Sequence, residues 1–207
     1  MKHLKFIFLS LLIISTISCS KDDDSSEDDE DDIQQLVENF VTPDLIATLV
    51  ELGYTFRDGN DTPNISGNFL YTPHAFKSSN IPGDLFEIGY LFSDNTYEFS
   101  NLNPENRTFT FSNTNNAGSD FGDVTDTFYS GNGNEFSAYI KLSTTIDDNT
   151  AIILYAISGI ITEDGISEAE DAVIMLDNMG NPSGYYIENG KGRLSIDDDG
   201  SAMRIIE

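Results

Sequence analysis

The apolar positions along the chain change their spacing three times, and each change marks a boundary. Phe6 to Ile17 is an apolar run broken only by Ser10, Ser15 and Thr16, with Lys2 and Lys5 before it. A finished membrane-spanning helix needs about 20 residues, so a basic start followed by a short apolar run reads as a signal peptide over 1–18. From Ser20 to Asp32 apolar residues vanish, and nine positions are acidic. That composition has nothing to bury and repels itself, which predicts a disordered tether over 19–32.

Ile33, Leu36, Val37 and Phe40 then fall at i, i+3, i+4 and i+7, one face of a short helix. Thr42-Pro43 supplies an N-cap and an N1 proline for a second helix. Leu45, Ile46, Leu49 and Leu52 give its stripe, and Gly53 suits the C′ position. Glu38, Asp44 and Glu51, with no Lys or Arg between 33 and 52, predict that this helical segment (33–53) packs on the domain rather than on an anionic membrane surface.

After Gly53 the period drops to two. Phe86, Ile88, Tyr90 and Phe92 alternate with Glu87, Gly89, Leu91 and Ser93 and predict a strand; Tyr97 with Phe99, and Phe109 with Phe111, predict two more. Gly131-Asn132-Gly133-Asn134 predicts a hairpin turn between Phe128-Tyr129 and the alternating Phe136, Ala138, Ile140 and Leu142. Ala151–Ile157 is nearly continuous in apolar residues and reads as the most buried strand. Ala172–Leu176, Tyr185–Ile187, Leu194–Ile196 and Ala202–Ile206 complete a series spaced by Gly, Asn and Asp. The expected domain, 54–207, is therefore mainly β: an antiparallel sandwich or an up-and-down, lipocalin-like barrel, preceded by two short helices.

Composition narrows what such a domain can meet. The chain has 36 Asp+Glu against 10 Lys+Arg, a net charge of −26, so a phosphate backbone is repelled and nucleic acid is not an expected partner. The 14 Phe and 9 Tyr supply material for a core despite that charge. One cysteine excludes an internal disulfide, and with His3 in the signal segment, His74 is the single imidazole of the mature chain. Multi-histidine metal sites and serine triads are thereby disfavoured.

That one cysteine sits where the apolar run ends. Thr16-Ile17-Ser18-Cys19 resembles the lipobox of bacterial lipoproteins, although Thr16 stands where leucine is commonest in that family. The resemblance implies a diacylglycerol on the Cys19 sulfur, cleavage before Cys19 and anchoring through acyl chains. Lys21-Asp22-Asp23 is similar to the short export signal of surface-exposed lipoproteins of the Bacteroidota. It implies display on the outer leaflet of the outer membrane; the competing reading is a plain acidic spacer on a periplasm-facing lipoprotein. Neither resemblance reaches past residue 24.

Within the domain, Asp197-Asp198-Asp199-Gly200 resembles the centre of a calcium loop. With Gly200 as position 6, position 1 is Ser195 and position 12 is Ile206, so an EF-hand is rejected. A looser Ca²⁺ site at Asp197 and Asp199 stands against a solvated hairpin turn. His74, beside Pro73, reads as a surface or packing residue, and no Gly-x-Ser-x-Gly elbow, P-loop or Rossmann fingerprint occurs. An enzyme is not expected. Two functions remain: a binding or accessory module for a glycan or protein, with Tyr185 and Tyr186 as stacking platforms, or a carrier whose barrel holds a small apolar ligand.

Overall fold

The computed structural model describes residues 27–116 and 121–206. Cys19, expected to carry the lipid, Lys21, Asp22 and Asp23, expected to direct export, and the expected tether up to residue 26 lie outside the described residues. Two helices, α1 (Glu27–Val41) and α2 (Pro43–Leu52), come first. Eleven strands follow: β1 (Asn60–Asp61), β2 (Gly67–Tyr71), β3 (His74–Ser79), β4 (Asn95–Asn103), β5 (Thr108–Asn115), β6 (Asp123–Asn132), β7 (Glu135–Ile146), β8 (Asn149–Ile161), β9 (Gly165–Asp177), β10 (Gly192–Asp197) and β11 (Ser201–Ile205).

The helices sit where the 3.6-residue spacing placed them, with one boundary moved. α1 begins at Glu27, six residues before Ile33, so the end of the acidic segment is helical rather than tether. Acidic residue types are favourable in a first helical turn, where the helix dipole is positive. Gly53 closes α2 in the left-handed region at φ 81°, its N–H donating to Val50 O while Tyr54 N–H reaches Leu49 O. Thr42 holds the N-cap position without a side-chain cap bond.

The strands form one curled mixed sheet, a half-barrel, in the order β1-β6-β7-β8-β9-β11-β2-β4-β5; off this path, β10 pairs with β9 and β3 with β10. β1 runs parallel to β6, and the other pairings are antiparallel. Strands β6 to β9 are the expected up-and-down meander. The order then departs from it, because β9 changes partner along its length. Ser167 and Ile166 pair with β11, Glu170 to Ile174 pair with β10, and Glu168 between them has φ 51°. Curling brings β5 to β6. There Thr127 Oγ1 donates to Phe109 O (2.7 Å) and accepts Phe109 N–H (3.1 Å), and Tyr129 N–H donates to Arg107 O (2.9 Å). A side chain thus replaces part of a strand ladder at the closure.

Period-two burial sorts the side chains into two clusters. On the concave face lie Phe69, Tyr71, Tyr97, Phe99, Phe111, Tyr129, Phe136 and their neighbours. On the convex face Phe128, Tyr139, Leu154, Ala156, Ala172 and Ile174 meet Ile33, Val37, Val41, Leu49 and Leu52 from the helices. Fully burying one such aliphatic contributes about 1.5–3 kcal/mol, so these five contribute on the order of the 5–15 kcal/mol by which a whole domain is stable. The helices are part of the domain.

Two predicted strands are absent. Phe86–Ser93 is a loop joined to β3 by an isolated Ala75–Leu91 bridge, because Pro82, Gly83 and Gly89 (φ 86°) bend the backbone out of the ladder. Tyr185–Ile187 belongs to a loop between β9 and β10, where Asn181 takes the backbone of Tyr186 in place of a strand: Oδ1 accepts its N–H and Nδ2 donates to its carbonyl.

Candidate functional site

Chemistry in this protein begins with where its polar side chains are buried. Ser130, Ser137, Ser158 and Glu170 lie in register across β6, β7, β8 and β9, all buried on the convex face. The chain leaving α2 crosses this row. Arg57 N–H donates to Ser137 Oγ (2.8 Å), its guanidinium donates to Ser158 Oγ (2.9 Å) and Glu168 Oε2 (2.7 Å), and Lys77 Nζ donates to Glu170 Oε2 (2.9 Å). Asp58 accepts from Ser130 Oγ and from the Tyr139 hydroxyl; burial raises its pKa, against the lowering effect of those bonds. Each member has a partner, so the row pins Thr55–Asp58 to the sheet, and the Tyr54 hydroxyl beside it is buried without a hydrogen-bond partner among the described residues.

His74 is also buried. Its Nε2 lies 2.8 Å from Asp171 Oδ1 and its Nδ1 3.1 Å from Asn95 Nδ2. Burial pushes its pKa down, but the Asp171 charge and hydrogen bond, with a backbone bond at Ser93, push harder and leave it raised. The surroundings are phenolic: Tyr71, Tyr97 and Tyr155 are buried and held above the usual tyrosine range by desolvation. A ring with both nitrogens engaged and 5% of its surface exposed cannot reach a substrate as a general base. The surface reading of His74 is corrected; the packing reading stands.

The candidate residues of the surface are placed as follows. Tyr185 is exposed and its hydroxyl donates to Asp147 Oδ2 at 3.2 Å. Tyr186 is half-buried against the concave cluster and donates to Asn149 O at 2.6 Å, so the two tyrosines do not form one platform. Asp197 is buried, with Oδ2 accepting Thr72 N–H at 2.9 Å, while Asp199 is exposed and accepts Ser201 N–H. Burial first, and then Asp199, push the Asp197 carboxyl up to about 6. No group of three or more His, Cys, Asp or Glu side chains among the described residues is placed to hold a metal ion.

An open groove of about 430 Å³ lies between α1 and the β5–β6 closure, lined by Leu36, Asn39, Phe40, Arg107 and Phe128 among others. Phe40 and Phe128 stack at 5.8 Å, Lys141 Nζ stands 4.3 Å over the Phe40 ring, and Leu36 is 43% exposed. An aromatic floor with amide, carboxylate and guanidinium groups at its rim suits an amphipathic ligand such as a sugar ring or a peptide side chain. Leu36 and Phe40 are visible in the sequence as half of a helical stripe. What periodicity could not show is that they sit at its edge, so that Ile33 and Val37 are buried and Leu36 is not.

No family model, curated protein or solved structure matches the chain. Among the described residues no helix is long and apolar enough to cross a membrane.

Proposed function

We propose that the chain is a lipid-anchored lipoprotein of the outer-membrane surface whose β domain is a non-enzymatic binding module for a glycan or protein partner. The anchoring half rests on the lipobox-like Thr16–Cys19 and on Lys21-Asp22-Asp23. The binding half rests on one observation: the concave face that a carrier would keep open holds the side chains of Phe69, Tyr71, Tyr97, Phe99 and Phe136, all essentially inaccessible, whereas the Phe40–Phe128 groove opens outward. Partners then meet the outside of the domain.

Two measurements test this. Cys19→Ala releases the domain from membranes or blocks signal removal, and replacing Lys21, Asp22 and Asp23 by Ala hides a membrane-bound protein from protease added to intact cells. On a glycan array, Leu36→Asp abolishes a signal given by the wild-type protein. A stoichiometric apolar ligand in mass spectra of lipid extracted with the native protein overturns the module reading in favour of a carrier.

A further inference from the structure

The loop Ile81–Phe92 puts large aliphatic side chains into water on a rigid base. Leu85 is 93% exposed, Ile88 81% and Leu91 57%. Their base is an aromatic cluster in which Phe86 lies 5.0 Å from Phe92 and 4.7 Å from Tyr90, and Phe76 lies 6.1 Å from Phe92. Phe76 N–H donates to Tyr90 O and Gly89 N–H to Phe76 O, both at 2.8 Å, and Phe92 N–H donates to His74 O. Arg193 grips Asp84 with two bonds of 2.8 and 2.9 Å while covering the Phe86 ring at 4.9 Å. That hydrogen bonding holds the Asp84 carboxyl down at about 2. The loop is built, and what it presents is apolar.

We propose that this loop is a membrane-docking tip, with Leu85, Ile88 and Leu91 entering the surface of the bilayer that holds the N-terminal lipid; the proposal rests on the lipid-anchor reading above. Chain length supplies the reason. Seven residues lie between Cys19 and Glu27, the first residue of α1, and the eight Cα–Cα steps from one to the other reach at most about 28 Å when fully extended. A domain of this size has a radius of gyration of about 16 Å and is roughly 40 Å across, so the tether is shorter than the domain and some face must rest near lipid. Residues 33–207 carry 27 acidic and 7 basic side chains, 7 − 27 = −20, and a carboxylate-rich face loses hydration there. The loop carries little of that charge: Asp84 is neutralised by Arg193, leaving Glu87 as its single uncompensated charge.

Shape selects lipid over a folded partner. Exposures of 93% and 81% mean that these side chains stand clear on nearly every side, a convex tip without a surrounding rim. A fluid interface takes such a tip without needing a complementary socket, and Tyr90, 49% exposed at its base, is the residue type found at headgroup level.

The chain contains no tryptophan, so Ile88→Trp creates a single reporter. The lipidated protein is reconstituted in phosphatidylcholine vesicles with brominated acyl chains, with Val124→Trp as an exposed control on β6. Docking gives blue-shifted, bromine-quenched emission at position 88 and water-like, unquenched emission at 124; adding Leu85→Ser and Leu91→Ser lowers the quenching at least threefold. Water-like emission at 88 on vesicle-bound protein overturns the proposal. So does a concentration-dependent dimer that Leu85→Ser abolishes, which assigns the tip to a second copy. The mass of the N-terminal peptide reads the anchor separately: an unmodified Cys19 refutes lipidation, and quenching of that same protein at excess vesicles then decides for or against docking.

Discussion

Replacing Asp197 by Asn should make the protein more stable at neutral pH and leave it unchanged in acid. The carboxyl is buried at the end of β10, Oδ2 holds the Thr72 amide, Oδ1 is without a hydrogen-bond partner, and burial with Asp199 nearby lifts its pKa to about 6. A raised acid binds its proton more tightly in the folded state than in the unfolded one. Its stabilising contribution is therefore complete below the ordinary value of 3.8 and is lost as pH rises through 6. A difference of about two pKa units corresponds to at most about 3 kcal/mol. The adjoining turn Asp198–Gly200 is exposed, so water screens the carboxylate and roughly half of that, about 1.5 kcal/mol, is the working figure.

Asn keeps an oxygen for the Thr72 amide and never ionises. For a domain of this size about 1.5 kcal/mol is a melting shift of roughly 3–6 °C. In thermal melts from pH 4 to 8, the gap between Asp197→Asn and wild type should be near zero at pH 4 and open through pH 6. Parallel curves across the whole range would refute the argument. The same melts address calcium: at pH 7.5 and fixed ionic strength, an ion bound between Asp197 and Asp199 raises the wild-type melting temperature alone. The expected outcome is that screening by NaCl stabilises both proteins and calcium adds nothing specific.

His74, one of the chain's two imidazoles with His3, should titrate above 6.5 in its own resolved NMR signal. Its raised pKa means that the stability it contributes is complete below pH 6.5 and lost as pH climbs through the folded value; a titration at or below 6.5 contradicts the ion pair with Asp171. Arg57→Met should cost about 3 kcal/mol in urea unfolding, because Ser158 loses its donor and the buried row is broken. Glu168→Gln, at a side chain 67% exposed, should cost under about 1 kcal/mol, and equal losses would place the energy in the ion pair rather than in the row.

Elements whose periodicity and punctuation agreed were readable before any coordinates. Helix α2 has a stripe, an N1 proline and a terminal glycine; the β6–β7 turn has its glycines; β8 is the apolar run from Ala151. Phe86–Phe92 failed because alternation reports a period and not a partner. The segment alternates as a strand does, yet Pro82 and the flanking glycines keep it out of a ladder, and its alternation breaks at Ile88, which shares the parity of the rooted Phe86 and Phe92 but stands exposed with Leu85 and Leu91. The strand expected at Tyr185–Ile187 failed similarly, since Asn181 takes up the Tyr186 backbone and the two adjacent tyrosines leave the loop in different directions, Tyr185 to solvent and Tyr186 to the core.

By itself the sequence determined a signal-like N-terminus, an acidic segment without core-forming residues, two short helices and a mainly β domain, because period, charge and breakers are local properties. Tertiary structure decided what depends on residues far apart in the chain. Arg57 meets Ser158 and Glu168 across about a hundred positions, His74 meets Asp171, and Thr127 stands in for a missing ladder at the closure. Whether a polar side chain is buried with partners or left to solvent is set by which strands adjoin. In a chain with 36 acidic residues, only the fold could single out Asp58, Asp171 and Asp197 from the rest.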